Sequence, residues 1–225
     1  MKNENHQELR FLEKVLIPEI AKTEVVLEIM KGLKSIGMAI IIIVFSTSST
    51  YAIFQDPDSR QVDRALKRGI NFAQQHRPPN ELYWHFGSIQ KPEPRGFLVT
   101  KVSGLSVMAG HYALRGEEPT VQDIQQVLAE EALQVVVTVY GNSPSFAQDS
   151  YLLLKQGQQV IKPDRIRFDA RARGAGFEDG SSVYRAKIIG FFHYGLFKEN
   201  ALTTLLVFPG VGGEIRFELD FSKIP

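Results

Sequence analysis

Of 225 residues, 44% are hydrophobic and 23% charged, with 26 Lys and Arg against 25 Asp and Glu, a formal charge of +1. These are ordinary values for a folded chain; they exclude disorder over most of its length and leave no global field to draw in nucleic acid. The chain has no cysteine, which excludes disulfides, thiol catalysis, thiolate zinc sites and a cysteine-borne lipid anchor.

Residues 1–29 place Leu9, Phe11, Leu12, Val15, Leu16 and Ile20 at helical spacing, with Pro18 kinking or ending that helix. Residues 30–52 follow the order of an export signal. Lys31 and Lys34 make a basic start, Ile36–Phe45 is an apolar run of ten residues, and a small polar stretch ends at Thr50-Tyr51-Ala52. Ten residues fall well short of the ~20 that span a bilayer as a helix. The expectation is a signal segment cleaved after Ala52, with Met30 as the start of translation, and a periplasmic or extracellular domain. The alternative is an uncleaved signal-anchor. In that case 1–29 is a cytoplasmic helix and the protein touches the membrane through 30–52.

From residue 53 the chain reads as one exported domain in two parts, mainly helical over 53–132 and β-rich over 133–225. Asp58–His76 is amphipathic, with Val62, Ala65, Leu66, Ile70 and Ala73 on one side, Asp56 or Asp58 as cap and Pro78-Pro79 as stop. Asn80–Gly96, rich in proline and aromatic residues, is expected to be an ordered loop. A helix over Thr100–Arg115 ends at Gly116, and Thr120-Val121-Gln122-Asp123 resembles a capping box opening a helix to Glu131.

At Ala132 the period changes. Leu133–Tyr140 reads as a buried strand, Tyr151–Lys155 and Gln159–Ile161 as a hairpin, and Ile166–Ala172 as a strictly alternating strand. Tyr184–Tyr194, Leu202–Phe208 and Glu214–Phe221 complete the set. In the last strand Ile215, Phe217, Leu219 and Phe221 face inward. Six or seven strands in about 90 residues give an α+β fold, short helices packed on an antiparallel β-sandwich. Its general pattern resembles the immunoglobulin-like sandwich. The Cys and Trp marks of antibody domains are absent, and the resemblance implies no activity.

Chemistry leaves few marks. Neither Gly104-Leu105-Ser106-Val107-Met108 nor Gly141-Asn142-Ser143-Pro144-Ser145 completes a nucleophile elbow, and Gly174-Ala175-Gly176 lacks the context of a dinucleotide loop. His76, His85, His111 and His193 have no metal-ligand spacing. Glu178 and Asp179 are adjacent loop residues rather than carboxylates set across a cleft. No catalytic residue, metal or cofactor is therefore expected. A hydrolytic site assembled from dispersed residues stays as a third reading beside the binding module and the anchored protein.

One pattern stands out. In Arg165-Ile166-Arg167-Phe168-Asp169-Ala170-Arg171-Ala172-Arg173 the arginines share one parity. On a strand, Arg165, Arg167, Arg171 and Arg173 leave one face together with Asp169, while Ile166, Phe168, Ala170 and Ala172 point to the core. Such a stripe can grip an anionic envelope component or an acidic protein partner. Tyr83 and Trp84, in Tyr83-Trp84-His85-Phe86, are candidates to stack on a ligand.

Overall fold

The chain falls into two units, Met1–Ser48 and Ser49–Pro225. The structure, a computed structural model, describes residues 53–90, 92–176 and 183–224. The helix of 1–29, the signal segment with its cleavage point at Ala52, and the acidic pair Glu178-Asp179 lie outside the described residues.

The second unit is α+β, with three helices and two antiparallel sheets of six and four strands. Helix α1 is Ser59–Gln74, opened by Asp58 in a reciprocal capping box with Gln61. The expected apolar face is the enclosed one, graded in depth. The buried positions are Ala65, Gly69 and Ala73, while Val62, Leu66 and Ile70 are only half-buried. The helix makes its closest approach to α2 (Lys101–Leu114) at Gly69. A 3-10 turn, Pro79–Leu82, follows α1 and packs on α2.

The loop expected over Asn80–Gly96 is corrected. Strand β1 (Trp84–Gly87) and strand β2 (Arg95–Val99) form an antiparallel hairpin, with Phe86 opposite Gly96. The prolines lie in the connection, where they take no donor from a ladder. Thr100 then caps α2 through Ser103, and Thr120 caps α3 (Val121–Leu128) through Asp123. Helix α3 stops three residues short of Glu131. The next segment is taken by β3 (Ala132–Gly141), a central strand of the larger sheet.

The remaining strands are β4 (Tyr151–Gln156), β5 (Gln159–Ile161), β6 (Arg165–Phe168), β7 (Arg173–Gly174), β8 (Tyr184–His193), β9 (Leu202–Phe208) and β10 (Ile215–Asp220). The larger sheet runs β1-β2-β3-β8-β6, with β7 also on β8; the smaller runs β10-β9-β4-β5. The hairpin across Gly157 forms as expected, with Gln156 opposite Gln159. Its tightness needs a left-handed residue, and Gly157 sits at φ +58°.

One core joins the sheets. Val135, Val137, Val139, Ile188 and Phe192 of the larger sheet and Leu152, Leu154, Leu205 and Val207 of the smaller are all fully enclosed. Phe86 meets Phe217 edge to face at 4.9 Å across the two. Each such side chain contributes about 1.5–3 kcal/mol on burial. The β-rich half is thus consistent with a β-sandwich.

A buried amide fastens one end of that core. Gln156 donates to the Lys198 carbonyl at 2.9 Å and the Thr203 hydroxyl at 2.8 Å, and accepts from the Lys198 N–H at 2.8 Å. Gln156→Ala removes three bonds, two to the Lys198 backbone and one to the buried Thr203 hydroxyl. It should cost about 2–3 kcal/mol, read as a lower denaturation midpoint at unchanged slope.

Candidate functional site

The strand expected over Ile166–Ala172 ends at Phe168, because two additional residues bulge out before β7 begins. The bulge splits one expected strand into two and raises the β count from β3 onward to eight. Asp169 holds the break. Its N–H donates to the Lys187 carbonyl at 3.0 Å, and its carboxylate accepts from the Lys187 N–H at 2.9 Å. Ala170 is exposed rather than core-facing, whereas Ala172 is buried, its N–H donating to the Pro144 carbonyl at 2.7 Å. Arg171 lies in the bulge, exposed and off the strand. An insertion of two residues preserves side-chain parity. Arg173 therefore returns to the face of Arg165 and Arg167.

That face belongs to the larger sheet and points away from the shared core. Arg165 pairs with Phe191 and Arg167 with Ile189. Both guanidinium groups lie over the Phe191 ring, 4.1 and 5.6 Å from its centroid. Stacking of this kind holds the cations upright at modest cost in side-chain freedom. Arg173 lies directly opposite Arg185. Lys187 neighbours Thr138, which neighbours Arg95. Six cations, Arg95, Arg165, Arg167, Arg173, Arg185 and Lys187, thus share one face with an apolar row of Phe97, Val136 and Ile189. Among the described residues no strand places an acid on this face, and none of the six cations forms a salt bridge.

The stripe of four expected from one segment is therefore three, joined by three cations from other strands. Arg185 and Lys187 carried a readable signal, since they alternate with Ala186 and Ile188. Their adjacency to Arg173 depends on register, which alternation does not encode.

Tyr83 and Trp84 are not brought together. Trp84 pairs with Leu98 and packs against the core. Tyr83 stacks on Phe97 at 4.8 Å, at the end of the apolar row. Burial pushes its phenol above the ordinary value. Side chains of consecutive residues in extended backbone leave on opposite sides, so the pair cannot clamp one ligand.

The histidines are dispersed over the elements. His193 comes nearest to a site, in an open cleft of about 500 Å³ shared with Glu131, Asp164 and Arg165. No serine, threonine or tyrosine is among its described lining residues, so the cleft offers that imidazole no hydroxyl to activate. Among the described residues no group of three His, Asp or Glu side chains is set to hold a metal ion, and no helix is long and apolar enough to cross a membrane. No protein-family model matches the chain, and no curated protein matches its sequence significantly.

Proposed function

We propose that this chain is an exported, non-enzymatic binding or assembly module of the cell envelope, holding an anionic partner on the outer face of its six-stranded sheet. The observation that carries the reading is the opposition of Arg173 and Arg185. Like charges directly across a ladder weaken a sheet. An anion seated between them turns that repulsion into two charge-assisted contacts. Arg165, Arg167, Lys187 and Arg95 extend the same potential over four strands, and two antiparallel sheets about one core support reading the scaffold as an immunoglobulin-like sandwich.

Export is the other half of the reading. Cleavage after Ala52 leaves Ile53 as the new terminus. Ile53 is fully buried in the core, and its backbone nitrogen donates to the Glu199 carbonyl at 3.2 Å. A new α-ammonium there keeps a donor aimed at that carbonyl. The test is the intact mass of the protein from soluble-envelope and membrane fractions of its host. A soluble species beginning at Ile53 is expected. A membrane-bound species beginning at Met1 overturns cleavage and favours the anchored reading.

A further inference from the structure

Lys101 opens helix α2 and is only 8% exposed. A lysine so largely enclosed is ordinarily paired with a carboxylate. Among the described residues Lys101 has no ion pair, and its ammonium lies 5.5 Å from the centroid of the Tyr194 ring. Tyr194 is itself 2% exposed, and its hydroxyl, close to the Lys101 backbone N–H, makes no hydrogen bond of ordinary geometry. Burial raises the phenol well above its ordinary value, so the group stays a neutral donor.

Both side chains line a cleft of about 340 Å³ between α2, α3 and the adjoining ends of β2 and β3. At about 30 Å³ for each water-sized unit, that is room for about ten heavy atoms. The Asp123 carboxylate in the same lining is already engaged. Hydrogen bonds from the Thr120 hydroxyl and N–H, then from Tyr112, hold it below the usual carboxylate range. Glu130 lines the same cleft as an exposed residue. Val99, Met108 and Val127 supply apolar wall.

We propose that this cleft binds a small organic monocarboxylate, its carboxylate on Lys101 and the Tyr194 hydroxyl and its apolar body between Val99, Met108 and Val127. One cation on a largely enclosed side chain, with one neutral donor beside it, suits at most a single negative charge. Asp123 and Glu130 in the same lining weigh further against each added negative charge, and so against a doubly charged phosphate. The positive end of α2 adds to the attraction. The cleft adjoins the basic sheet face through Val99 and Gln134 but uses none of its six cations, and it stands whether or not that face binds an envelope partner.

The test is calorimetric titration of the full 225-residue chain with octanoate and, separately, octan-1-ol, which carries the same tail without the charge. Octanoate is expected to bind at least about tenfold more tightly, a difference of about 1.4 kcal/mol. Lys101→Met, which keeps the stem, should abolish that preference with the melting temperature held. Equal binding of acid and alcohol, or no octanoate binding at about 10 mM, overturns the proposal on the unmodified chain alone. So does loss of octanoate binding in Arg165→Glu/Arg167→Glu, which would place the carboxylate on the sheet.

Discussion

Reversing four charges, Arg165→Glu, Arg167→Glu, Arg173→Glu and Arg185→Glu, should abolish retention of the protein on immobilised poly-glutamate while leaving its circular dichroism unchanged. Each exposed contact contributes about 0.5–1 kcal/mol, so losing four removes about 2–4 kcal/mol, roughly 30- to 1,000-fold in affinity, before repulsion is added. Unmodified protein should itself elute as salt rises, because exposed charges are screened within about 10 Å at 0.1 M. Arg173→Glu alone separates binding from folding. It places a carboxylate opposite Arg185 and should stabilise the sheet by about 0.2–1 kcal/mol while weakening retention. Retention that is unchanged in the fourfold variant removes this face from the proposed function.

Gly69→Val should unfold the helical layer. A Cβ at residue 69 falls 2.0 Å from the Ser106 carbonyl oxygen and 2.9 Å from the Gly110 nitrogen, both backbone atoms of α2. No side-chain rotation relieves such a contact, so α1 and α2 must separate. Their small stripes, Ala65-Gly69-Ala73 against Ser106, Ala109 and Gly110, then lose contact along the whole crossing. Overpacking a core ordinarily costs 1–3 kcal/mol, and a backbone collision exceeds that, so about 3 kcal/mol or more is expected in chemical denaturation. Gly116→Ala is the control for glycine removal as such. It is strained by its φ of +73° but meets nothing within 4 Å, and should cost only about 1 kcal/mol. A melting temperature for Gly69→Val within a degree of the unmodified chain refutes the close helix crossing.

Local chemistry was legible from the residues themselves. Asp56 or Asp58 and Thr120 mark two helix starts, capped in the structure by Asp58 and Thr120, and Gly157 marks a hairpin. The inward set Ile215, Phe217, Leu219 and Phe221 packs on or within the core as its alternation requires. These features depend on bonds and parities within a few residues, which any stretch of chain carries with it.

Tertiary structure decided the rest. Trp84 and Phe86 lie in a proline-rich stretch that reads as loop, yet β2 finds a partner in β3 and the hairpin becomes sheet. Large residues mark the apolar side of α1 on paper, but helices approach most closely along small ones, so the closest approach to α2 is at Gly69. Arg165, Arg167 and Arg173 share a parity that was visible in one segment. That Arg185 and Lys187 stand beside them follows from a register set by pairing over long sequence separations. By itself the sequence determined which residues could begin a helix, turn a hairpin or face a core. Which charges meet across strands, and which lysine is buried without a carboxylate, arose only when distant segments were brought together, because those contacts belong to no single stretch of chain.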